Sequence, residues 1–166
     1  MQFAALPIRK SRAGESELLL ITSRDTGRWV IPRGWPIPGK SGADTATVEA
    51  YEEAGITGYT RKQSVGRYRY NKRVRGGLIP REVIVFPMRV DTQLEDWPER
   101  QQRRTSWFAC VVAARLVHET GLAAIMRTSS ILVSIATMLR ESRKGRHDAC
   151  AVDIGGQDLP IRRHTA

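Results

Sequence analysis

The sequence predicts an α/β protein in which a mixed sheet lies between helices, and two observations predict it. Short apolar runs bounded by turn residues, at 18–21 and 83–88, have the length and content of buried strands. Helical patterning is confined to an Ala-rich acidic segment at 43–54 and to stretches beyond 110. Strands therefore outnumber helices and do not alternate with them regularly, as in a mixed sheet with helices on its faces. A chain of 166 residues fits one domain with a sizeable core. That domain is expected over 1–140, with 141–166 as an extension in which the apolar pattern fades.

Residues 2–9 read as a first strand. Pro7 would confine it to an edge or an end, because proline has no N–H to give a ladder. Arg12 to Glu15 mark a turn, 17–23 a buried strand, Asp25-Thr26-Gly27 the next turn and 28–31 a brief strand. A loop crowded with glycine and proline, 32–42, leads into a helix with Asp44 or Ser41 as N-cap and Gly55 as its stop. Residues 56–71 alternate loosely, with Tyr59, Val65, Tyr68 and Tyr70 among basic residues. They read as one long, bent or bulged strand whose polar face carries the cations. Arg75-Gly76-Gly77 is a hairpin turn, and 81–90 a strand that Pro87 places near an edge or a bulge. A polar loop at 91–104, a strand at 105–110 and helices at 111–119, 121–126 and 129–139 complete the pattern.

The acidic helix needs its own explanation. Ala43, Ala46, Ala50 and Ala54 form a small-residue stripe suited to close packing on a sheet, while Glu49, Glu52 and Glu53 share a neighbouring face at i, i+3 and i+4. Like charges at that spacing cost an isolated helix roughly 0.2–0.5 kcal/mol per pair, and no basic residue lies between Ala43 and Tyr59. An acidic face alone is usually a solvated surface. The Gly-rich loop at the helix start shifts the balance toward a divalent cation, since Mg²⁺ takes one or two carboxylates plus waters and substrate phosphates.

The formal net charge is +10, and its distribution is uneven. Residues 61–81 hold Arg61, Lys62, Arg67, Arg69, Lys72, Arg73, Arg75 and Arg81 and no acid. Such a block attracts anions, with polyphosphate, nucleotide and nucleic acid all open as partners. The two cysteines, Cys110 and Cys150, are too few and too isolated for a disulfide framework or a zinc site. With no apolar run long enough to cross a bilayer and no signal-peptide pattern, the expectation is a soluble cytoplasmic protein.

Gly34, Glu49, Glu52, Glu53 and Gly55-Ile56 resemble the Nudix box, G-x5-E-x7-R-E-U-x-E-E-x-G-U, with U a bulky apolar residue. The spacing from Gly34 to Gly55 is kept in full. Lys40 stands at the position of the box's first glutamate, Val48 at its arginine, and Ala50 is a smaller residue at U. Residues 28–36, Arg-Trp-Val-Ile-Pro-Arg-Gly-Trp-Pro, are similar to the entry segment of a bacterial Nudix branch akin to diphosphoinositol-polyphosphate and dinucleoside-polyphosphate hydrolases. The run at 83–88, Trp97-Pro98-Glu99 and Trp107-Phe108 look like later landmarks of that branch.

The resemblance implies a Nudix α/β/α sandwich and metal-dependent hydrolysis of a phosphoanhydride bond, with Mg²⁺ or Mn²⁺ as cofactor. Glu49, Glu53 and the Gly34 carbonyl would hold the metal, and Glu52 matches the residue proposed as water-activating base. Helical spacing alone does not assign these roles. Arg33, Lys40, Arg67, Lys72 and Arg75 are the candidates for substrate phosphates. A further metal ligand would come from Glu82, Glu95 or Glu99, while Trp35, Trp97 and Trp107 fit packing better than base stacking. A dinucleoside polyphosphate or an inositol pyrophosphate suits the basic strand best. With valine at 48, either Lys40 or another cation organises the glutamates, or turnover is weakened. The alternative is a catalytically weakened Nudix-like module that binds nucleotide or RNA.

Overall fold

A computed structural model describes residues 1–128; the helix expected at 129–139 and the extension at 141–166 lie outside the described residues. Eight strands form one sheet: β1 (Gln2–Lys10), β2 (Ser16–Thr22), β3 (Trp29–Val30), β4 (Arg33–Gly34), β5 (Ile56–Thr60), β6 (Gly66–Val74), β7 (Gly77–Gln93) and β8 (Thr105–Ala109). Three helices accompany them, α1 (Gly42–Ala54), α2 (Cys110–Leu116) and α3 (Thr120–Arg127). The main strand order is β3-β2-β1-β7-β5, with β4 on β1, β6 on β7 and β8 on β2. The β1–β7 pairing is parallel, from Gln2↔Val83 to Ile8↔Arg89, and the others are antiparallel. The sheet is mixed, as the sequence predicts.

Strand alternation sorts the apolar side chains into two cores. Ala4, Leu6, Ile8, Leu18, Leu20, Val83 and Val85 meet α2 and α3 on one face. Ala5, Leu19, Ile21, Phe86 and Met88 meet Ala43, Ala46, Ala50 and Ala54 of α1 on the other. The alanine stripe is buried, with Ala46, Ala50 and Ala54 at 0% exposure, so the helix backbone rides close to the sheet. Among the described residues no helix is long and apolar enough to cross a membrane.

Two expectations about proline are corrected. β1 and β7 are the central strands, and neither Pro7 nor Pro87 lies at an edge. Each falls where its strand changes partners on one side. β1 pairs β4 at Phe3 and Ala4 and β2 from Ile8 onward, so Pro7 sits in the gap. β7 pairs β6 up to Val85 and β5 from Met88, so Pro87 sits in another. A missing N–H costs little where no ladder bond is due. The same switch divides the single strand expected at 56–71 into β5 and β6, both laid along β7, and the bulge lies at Thr57/Gly58.

Candidate active site

The loop before α1 sets its start. Ser41 caps the helix: its hydroxyl accepts from the Asp44 N–H at 3.2 Å, and the Asp44 carboxylate accepts from the Ser41 N–H at 3.3 Å. Both residues open as N-caps are therefore used, in a reciprocal capping box. At the other end Gly55 adopts φ +65°, the left-handed conformation that ends helices, and its N–H reaches back to the carbonyls of Ala50 and Tyr51.

Gly34 lies opposite Phe3 in the sheet, under the middle of α1. A Cβ built on it would overlap the carboxylate of Glu49. The loop glycine is thus the floor on which that carboxylate rests. Glu53, one turn on, is 8% exposed. One of its oxygens accepts from the backbone N–H of Arg33 at 3.0 Å, and the other from the guanidinium of Arg103. Glu52 points outward and is exposed.

Residues 94–104 form a strap across the C-terminal end of α1. The Leu94 N–H donates to the Gly55 carbonyl at 2.7 Å and the Glu99 N–H to the Glu52 carbonyl at 3.1 Å. Trp97 packs its ring against Gly55. The strap delivers Arg103, whose side chain is 7% exposed, between Glu53 and Glu99. Its Nε donates to Glu99 at 2.6 Å and its Nη1 to the Thr22 carbonyl at 3.0 Å. Arg24 reaches the other oxygen of Glu99 at 3.1 Å. Removing one partner of a buried pair leaves an uncompensated charge, at a cost of about 3–5 kcal/mol.

The three carboxylates of α1 are all held above the usual carboxylate range. The Glu49 carboxyl is pushed up to about 7, first by burial and then by Glu53, Glu52 and Glu99, with Arg103 pulling weakly the other way. Burial and then Glu99 raise Glu52. Burial raises Glu53 as well, against the pull of Arg103 and of the Arg33 N–H. Among the described residues no three His, Cys, Asp or Glu side chains are grouped so as to hold a metal ion by themselves. The donors fit an open site instead. Glu49 makes no hydrogen bond or ion pair among the described residues, and each carboxylate oxygen of Glu53 keeps a second lone pair. Mg²⁺ fills such sites with waters and substrate phosphates.

The basic candidates divide by sheet face. Arg33 lies next to Gly34 but alternates to the opposite face, where its guanidinium stacks over Tyr70 at 4.7 Å and reaches the Tyr68 hydroxyl at 3.5 Å. Its backbone, not its side chain, serves the glutamates, which corrects the expectation of a phosphate-binding side chain beside the loop. Lys72 also alternates to that opposite face, with Asp25 at 3.7 Å. Arg67, and Arg69 beside it, lie on the α1 face, exposed and near Glu82 at 4.0 and 3.5 Å. Arg75 is exposed in the hairpin turn. Lys40 is exposed and forms no ion pair among the described residues, so it is not the organising cation. Trp107 donates to Gln93 at 2.8 Å and packs in the α1-side core, whereas Trp35 is half exposed under Arg81. Sequence reasoning missed Arg103. The signal that another cation was needed was the valine at 48.

No family model matches the chain. Nudix hydrolase 21, chloroplastic, of Arabidopsis thaliana is 34% identical over 116 residues, covering 69% of this chain and 57% of that protein. Human diphosphoinositol polyphosphate phosphohydrolase 3-alpha is 32% identical over 108 residues, covering 63% of this chain and 61% of that protein. The chain therefore spans about six-tenths of the length of these relatives. Among solved structures, a C. elegans Ap4A hydrolase superposes with TM-score 0.59 at 20% identity, covering 80% of this chain and 96% of that one. A Nudix hydrolase from M. smegmatis, RenU, superposes with TM-score 0.56 at 17% identity, covering 81% and 86%. With its Gly34-to-Gly55 segment folded as loop, helix and glycine stop under a mixed sheet, the chain is similar in sequence to Nudix hydrolases and shares their fold.

Proposed function

We propose that the chain hydrolyses a phosphoanhydride bond in a nucleoside-diphosphate-linked or highly phosphorylated substrate. A dinucleoside polyphosphate or an inositol pyrophosphate is favoured. The observation that carries this reading is the Glu49 carboxylate resting on Gly34, coupled to Glu52, Glu53 and Glu99. Glu49 and Glu53, with the Gly34 carbonyl, would hold Mg²⁺ or Mn²⁺. Such an ion, when bound, supplies Lewis acidity to the phosphates flanking the bond and lowers the pKa of water.

The chain's own residues do the rest. Exposed Glu52 accepts the proton of the attacking water, whose oxygen forms the new P–O bond. The bridging P–O bond breaks, and its electron pair leaves with the departing phosphate. Arg67, with Arg69 beside it, lies on the face of the sheet that α1 covers, and the two would attract the remaining phosphates. The relatives named above for Ap4A and for diphosphoinositol polyphosphate support this substrate class.

The test is a product screen over dinucleoside polyphosphates, inositol pyrophosphates and ADP-ribose-type diphosphates with Mg²⁺, Mn²⁺ or EDTA. Glu52→Gln and Glu53→Gln are run alongside. Metal-dependent phosphate products, lost in Glu52→Gln, are expected. The exposed cations of β6 and its turn favour a second reading, a nucleotide- or RNA-binding module; tight binding without turnover would select it.

A further inference from the structure

We propose that Arg103 is the positioning residue of this site, the buried cation that fixes the alignment of its carboxylates. The helix has no base of its own to do so: none lies between Ala43 and Tyr59. Arg103 comes instead from the strap, and each nitrogen of its guanidinium serves a different element. Nη2 holds Glu53 of α1, Nε holds Glu99 of the strap, and Nη1 holds the Thr22 carbonyl at the end of β2. The base of the side chain is fixed as well. The Arg104 N–H donates to the Thr22 hydroxyl, and the Thr22 N–H to the Arg104 carbonyl, both at 2.9 Å. A planar fork with three occupied corners sets direction as well as charge, which an ammonium on a flexible stem does not.

The inference rests on the hydrolase reading only for its kinetic readout. Without Arg103, Glu53 keeps only the Arg33 N–H and Glu99 only the exposed Arg24, and a bound divalent ion takes over the neutralising role between them. Arg103→Met is therefore expected to melt lower than the parent in EDTA. Mn²⁺, added alone, is expected to raise its melting temperature by at least twice the parent's shift. With a cleaved substrate, kcat falls at least tenfold while KM stays within about twofold. Arg103→Lys restores the charge and most of the melting temperature but not kcat, because one point charge does not hold both carboxylates.

A kcat within twofold of the parent in Arg103→Met would make the residue merely structural and overturn the proposal. So would equal Mn²⁺ shifts in the two proteins. If the parent cleaves none of the substrates, the hydrolase reading fails and the Mn²⁺ shift alone decides: a doubled shift supports the positioning role and an equal one rejects it.

Discussion

Gly34→Ala probes the floor of the site. The new Cβ would overlap the Oε1, Cδ and Oε2 atoms of Glu49. Gly34 is not among the glycines at positive φ, so alanine meets no backbone strain there and the whole effect is steric. Overpacking a rigid core costs about 1–3 kcal/mol. Here the obstructed group is the far end of a half-buried, flexible side chain that can swing outward. The stability loss should therefore fall at or below about 1 kcal/mol, the lower end of that range. The catalytic loss should be much larger, since a misplacement of about 1 Å in a reacting group can cost about 10²-fold. Steady-state kinetics beside thermal melts measure both. Activity within threefold of the parent would refute the idea that Glu49 works from its seat on Gly34, and so would a large loss of stability with full activity.

Further outcomes follow from the same geometry. Val48→Arg should leave kcat within about threefold, because Arg103 already pairs Glu53 and Glu99; a tenfold gain in turnover would mean that the helix arginine is missed. In EDTA, Glu49→Gln should be more stable than the parent above pH 7. The Glu49 carboxyl rises from 4.5 to about 7 on folding, so its favourable share is full below 4.5 and is lost as pH rises through 7. A rise of that size would be worth roughly 3 kcal/mol if fully shielded, and solvent screening of a half-exposed group leaves about 1 kcal/mol; parallel pH–stability curves would contradict it. Arg67→Ala with Arg69→Ala should raise KM with kcat and melting temperature little changed, since both side chains are exposed; an unchanged KM would remove them from the substrate path.

Much of the site can be read along the chain because its parts are local. The capping box at Ser41 and Asp44, the Gly55 stop, the buried alanines and the glutamate face all follow from helix geometry within one element. The misread parts depend on partners far away in sequence. A rule that bars proline from central strands assumes one partner along a whole strand, whereas β1 and β7 each exchange partners at their proline. Adjacency drew Arg33 toward the glutamates, but alternation turned its side chain to the other face. Arg103 lies 50 residues from Glu53, in a polar loop whose pattern gave no sign that it would fold over α1.

The central claim is that these carboxylates support water attack on a phosphoanhydride. Its most direct measurement is cleavage of a dinucleoside polyphosphate or an inositol pyrophosphate in ¹⁸O-labelled water with Mn²⁺, in the parent and in Glu52→Gln. The account predicts one labelled oxygen in a phosphate product of the parent, and loss of that product in EDTA and in the variant. Equal labelled product from parent and variant, or substrate bound tightly but never cleaved, would contradict it.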